Sequence, residues 1–62
     1  MNQPPKHFDF TDKKAAFAYH ASRSKTHQIV MSNHWATEGY WIEPIGTALT
    51  QWDIDITPKK TN

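Results

Sequence analysis

The stretch Thr50-Gln51-Trp52-Asp53-Ile54-Asp55-Ile56-Thr57 decides the fold class. Trp52, Ile54 and Ile56 fall at every second position, with Gln51, Asp53, Asp55 and Thr57 between them. A period of two marks a strand in a sheet that is covered on one face and wet on the other. The apolar face of a strand over 50–57 therefore needs a cover. The segment with the right period to supply one lies far upstream.

Thr11 is a suitable N-cap, and Asp12 after it is favourably placed against a helix dipole. From there to about Ser24 the spacing is helical. At about 100° per residue Ala15, Phe17, Ala18, Tyr19, Ala21 and Ser22 share one broad arc, whereas Lys13, His20 and Arg23 fall opposite. Ala16 sits on the polar side, and Lys14 intrudes on the apolar arc. Arg23 and Lys25 near the end suit the negative C-terminal dipole. The arc predicts a helix over about 11–24 lying on Trp52, Ile54 and Ile56.

Between these segments the period changes again. Ile29-Val30-Met31 within His27–Asn33 reads as a strand rich in β-branched residues. Asn33–Gly39 is a connecting loop that carries Trp35. Tyr40-Trp41-Ile42-Glu43 reads as a second strand, closed by Pro44 and a turn at Gly46. Lys6-His7-Phe8-Asp9-Phe10 alternates and could add one more short strand, showing Phe8 and Phe10 to one face. The expected architecture is α+β, with one helix packed on an antiparallel sheet of three strands, or four if residues 6–10 join. Short links between sequential strands favour a meander. The middle strand turns either Tyr40 and Ile42, or Trp41 with Ile45, toward the helix, and the sequence leaves that choice open. Residues 1–5, with adjacent prolines, read as a flexible lead-in, residues 6–57 as a single domain and 58–62 as a flexible basic tail.

Size and composition narrow the function. Sixty-two residues make at most one domain, and a chain so short buries only about 60% of its unfolded surface. With no Cys, neither a disulfide nor a Cys-ligated zinc can brace it. No apolar run approaches the roughly 20 residues that span a bilayer, and the start of the chain lacks the regions of a signal peptide. These features lead us to expect a soluble cytoplasmic protein with no membrane partner. Eight aromatic residues argue against disorder despite the polar average.

The charges are unevenly placed. Between Thr26 and Thr57 lie all three tryptophans, the acids Glu38, Glu43, Asp53 and Asp55, and no Lys or Arg. Lys6, Lys13, Lys14, Arg23 and Lys25 precede that stretch, and Lys59 and Lys60 follow it. Fields of one sign steer encounter with oppositely charged partners.

Few residues carry a signature of chemistry. His20, His27 and His34 recur every seven residues, but three or four zinc ligands must converge within about 2.1 Å of the metal. A seven-residue repeat converges only on a continuous helix, which Ile29-Val30-Met31 interrupts. We therefore expect no metal and no cofactor. Asp53 and Asp55 on one strand face read as solvated charges that deter edge-to-edge aggregation. No Gly-flanked nucleophile elbow and no phosphate-cradling Gly-rich loop is present. No catalytic residue is assigned, and the chain is expected not to be an enzyme.

Three binding readings remain. Trp and Tyr are favoured interface anchors, so Trp35, Tyr40, Trp41, Glu38 and Glu43 are the expected protein-binding residues. With Trp52 they would form an acidic-rimmed aromatic surface suited to a larger protein with a basic surface. The alternative is an accessory nucleic-acid-binding domain using Lys13, His20, Arg23 and Lys25 on the helix. It is weakened by acids on the aromatic strands, which repel phosphates from the surface able to stack on bases. A homodimer closed by the aromatic face is a third option. In style the chain resembles phage- or mobile-element-encoded inhibitors, including some anti-CRISPR proteins: tiny, Cys-free, with one helix on a small sheet and no catalytic motif. That resemblance spans the whole chain and implies a non-enzymatic regulator that inhibits by binding.

Overall fold

The computed structural model describes residues 5–58. The expected tail beyond Pro58 and the lead-in before Pro5 lie outside the described residues. Strand β1 is Lys6–Phe8, a 3-10 turn covers Phe10–Asp12, and helix α1 is Lys13–Ala21. Strands β2 (His27–Ser32), β3 (Gly39–Pro44) and β4 (Asp53–Asp55) follow. One helix on a four-stranded antiparallel sheet is thus the α+β fold expected, with residues 6–8 joining as the fourth strand.

The β2–β3 hairpin is the centre of the sheet. Its register sets Ile29 opposite Ile42, Val30 opposite Trp41 and Met31 opposite Tyr40. Directly opposed residues share a face, so Ile29, Met31, Tyr40 and Ile42 point to one side and Gln28, Val30, Ser32, Trp41 and Glu43 to the other. The first side is the core: Ala16 of α1 packs with Ile29, Tyr40 and Ile42, and Phe8, Phe17, Tyr19, Met31 and Ile56 close around them. The choice left open by the sequence falls to Tyr40 and Ile42, while Ile45 is exposed.

Three expectations need correction. The strand order is β1-β3-β2-β4, so β4 pairs with β2 and the sheet is not a meander. The free side of β3 is taken by β1. In addition, the buried Gln28 side chain holds the turn after β3 over the sheet. Its Nε2 donates to the Thr47 carbonyl and its Oε1 accepts from Gly46 N–H. The chain therefore leaves β3 across the hairpin and comes down beside β2.

The helix is shorter than expected, and its buried face is rotated. Thr11 does not cap it. Asp9 Oδ1 instead accepts from Thr11 N–H at the 3-10 turn, and Asp12, the N-cap residue, makes no side-chain cap bond. Ala16 and His20, read as polar-side residues, are the buried ones, while Ala15, Ala18, Ala21 and Ser22 are exposed. Ala16 is where the helix backbone comes close to the sheet. His20 tolerates burial because its Nε2–H donates to the His27 carbonyl at 2.9 Å. Ile29 sends its own backbone groups to the 56–57 segment. His27, two residues back, points the same way, past the end of β4, so the imidazole takes the place of a missing strand partner.

The helix also fails to cover the alternating stretch that announced the sheet. A helix about 10 Å across spans about two strand spacings of 4.8 Å, and α1 packs on β1, β2 and β3. Only Ile56 reaches the core, and Ile54 at the outer edge is 48% exposed. Trp52 is not in the strand at all. It sits in a turn in which Thr50 N–H donates to Asp53 Oδ2 and Asp53 N–H to the Thr50 carbonyl.

Candidate functional site

The sheet face turned away from the helix is where chemistry-bearing side chains collect. The register builds it in rows. His7, Trp41, Val30 and Asp55 form one row, with Glu43 and Gln28 on one side of it and Ser32 and Asp53 on the other. Two loops stand over these rows. In the 33–38 loop, Thr37 N–H donates to the His34 carbonyl, Ala36 N–H to His34 Nδ1, and the Ser32 and Thr37 hydroxyls share a 2.8 Å bond. The second loop is the 45–52 segment held by Gln28. The two are tied together where Asn33 N–H donates to the Trp52 carbonyl.

Between the loops and the sheet lies a concavity of about 340 Å³ lined by Ser32, His34, Thr37, Trp41, Glu43, Thr50, Trp52 and Asp53. Its aromatic walls are fixed. The Trp41 indole donates to the Thr37 carbonyl at 2.8 Å and lies against His7, with ring centroids 4.5 Å apart. Trp52 meets the edge of His34 at 4.6 Å, and His34 in turn stacks on Trp35. Trp35 itself is 82% exposed at the rim. Apolar walls with a few convergent polar groups are the usual make-up of a binding site.

The carboxylates here act on one another through their like charges. Burial pushes the Glu43 carboxyl above its ordinary range, and the negative charges of Asp53 and Asp55 push it the same way. The hydrogen bond from Gln28 Nε2 works against them. A raised carboxyl means that the folded state disfavours the ionised form. That penalty is absent where glutamate is protonated in both states and grows as pH rises through the folded-state value. Glu43→Gln keeps an acceptor for Gln28, so thermal melts should show it at least as stable as the parent at pH 7. The gain is at most about 0.5 kcal/mol and disappears below the ordinary carboxylate range. A Tm that fell at pH 7 would contradict this.

The expected protein-binding residues are only partly brought together. Trp41 and Glu43 line the concavity, Trp35 stands at its rim, and Glu38 is exposed in the loop, its carbonyl accepting from His7 Nε2. Tyr40 must be removed from the set: it is 7% exposed, in the core, with Phe10 edge-on to it. Trp52 and Asp53 line the concavity beside Trp41 and Glu43, together with His34, Thr37 and Thr50. The signal for them was a Thr-x-x-Asp turn at 50–53 inside a stretch that also reads as a strand.

The nucleic-acid set disperses further. His20 is buried against His27. The Arg23 guanidinium lies 3.8 Å over the Tyr19 ring and donates to the Tyr19 carbonyl and Ser22 Oγ. Lys13, Lys14 and Lys25 remain exposed. Among the described residues, no three His, Asp or Glu side chains are grouped to hold a metal ion, and no helix is long and apolar enough to cross a membrane. No known protein family matches the chain, and no curated protein or solved structure is significantly similar to it.

Proposed function

We propose that this domain is a non-enzymatic protein-binding regulator that inhibits or modulates a larger protein by occupying a basic part of its surface. The concave sheet face is the contact. The observation that carries this reading is the placement of Trp41 and Trp52 as walls around Glu43 and Asp53, with Trp35 exposed and stacked on His34 beside them. Neither acid has a cationic partner among the described residues. Rigid, partly desolvated tryptophans are the residue type from which binding hot spots are made. A scaffold that already holds them loses little entropy on binding. The helix supports a nucleic-acid contact less well, since two of its four candidate residues are committed within the fold.

The test is capture from the source cell by the parent protein and three folded variants. Trp52→Ala and Trp35→Ala should each lose a partner that the parent retains, by tenfold or more in apparent affinity. Lys13→Glu should retain it. Retention by both tryptophan variants, with loss in Lys13→Glu, would overturn the assignment of the face and transfer it to the helix.

A further inference from the structure

We propose that the concavity is a receptor for a single arginine side chain presented by an exposed basic segment of the partner. This inference rests on the protein-binding reading above and specifies what that face takes. Three observations converge on a guanidinium. The walls include two indoles, and a guanidinium is the cation that stacks on aromatic faces and sheds its hydration most readily. The floor and side carry Glu43 and Asp53, each with only one oxygen engaged by the fold. Gln28 Nε2 donates to Glu43 Oε2 and Thr50 N–H to Asp53 Oδ2, so Glu43 Oε1 and Asp53 Oδ1 remain as acceptors. Hydrogen bonds from a cation's N–H groups to such carboxylate oxygens are charge-assisted and about twice as strong as neutral ones.

The third observation is the charge of the site. It holds carboxylates of one sign, and Glu43 is disfavoured as an anion there by burial and by Asp53 and Asp55. An entering cation would relieve that cost, whereas an anion or a phosphate would add to it. The remaining polar lining is engaged within the fold, Ser32 with Thr37 and Thr50 Oγ1 with Trp52 N–H, which leaves the carboxylates as the groups that meet an incoming donor. At about 340 Å³ the space suits one long side chain rather than a folded element.

The experiment uses three capped peptides of one sequence with arginine, lysine or citrulline at a single central position. Each is titrated into the full chain while the indole N–H resonances of Trp41 and Trp52 are followed by NMR. The arginine peptide should shift both indole signals saturably. It should bind at least tenfold more tightly than the citrulline peptide, which keeps the shape and loses the charge, and several-fold more tightly than the lysine peptide. Glu43→Gln combined with Asp53→Asn, which keeps an acceptor for Gln28 and for Thr50, should abolish the arginine preference without loss of fold. Citrulline equal to arginine would overturn the guanidinium assignment while leaving the protein-binding face standing. Lysine equal to arginine would overturn it as well, reducing the site to a general cation receptor. Unchanged indole signals with all three peptides would reject the receptor, and partner capture by the tryptophan variants would then decide the wider reading separately.

Discussion

Gly39→Ala is expected to remove most of the stability of the domain. Gly39 opens β3 at φ 129°, in a region that side-chain-bearing residues rarely occupy. A Cβ built there meets the Phe8 carbonyl of β1 and the ring of His7, so neither the backbone nor the space accepts a methyl group. The conformation alone costs about 1–3 kcal/mol for a non-glycine residue, and overpacking adds about 1–3 kcal/mol. Against about 3–9 kcal/mol of total stability for a chain of this length, the sum removes most of the margin. Circular dichroism at 25 °C, with urea titration of the parent alongside, gives the readout. A parent-like melt would show that β1 can move off β3 at little cost.

His20→Ala should be the next most damaging change, and it also separates two views of the helix. The imidazole is buried and fills the space where α1 meets the start of β2, with its Nε2 on the His27 carbonyl. Truncation opens a cavity, for which large-to-small core changes cost about 2–5 kcal/mol. It also leaves that carbonyl without its partner, worth about 1–3 kcal/mol where water cannot enter. Because the two terms overlap, a total loss of about 2–4 kcal/mol is expected, read as a lower urea midpoint with unchanged slope. Lys13→Ala on the exposed first turn should leave the midpoint where it is. If His20→Ala behaved like Lys13→Ala, His20 would be a surface residue after all and the helix would regain a candidate nucleic-acid contact.

The residues that were legible in the sequence were those whose neighbours along the chain determine their fate. Ile29-Val30-Met31 and Tyr40-Trp41-Ile42 declared their strands, and Gly46 after Pro44 declared its turn. What was not legible came from partners distant in sequence. The buried phase of α1 depends on Ala16, whose small size matters only because a sheet lies against it, and on His20, whose burial depends on a carbonyl seven residues away. Trp52 fitted an alternating strand as well as a turn. The balance was tipped by Gln28, which draws the 45–52 segment over the hairpin from the far side of the sheet. For the same reason the candidate site was only partly seen: Trp35, Trp41, Trp52 and Glu43 stood out by residue type, whereas Asp53 joins them through that crossing.

The strand order β1-β3-β2-β4 has a kinetic consequence. The central hairpin closes the shortest loop in the sheet, so its pairing carries the smallest entropic cost and can form first. Each outer strand must then be recruited from far along the chain, from opposite ends, onto a template already made. The concave face depends on the docking of β4, because its second wall is the segment leading into that strand. A chain that has folded its hairpin and helix but not yet docked β4 has most of its core and lacks one wall of the concavity. An intact concavity therefore requires a docked β4, and fraying of that edge opens it.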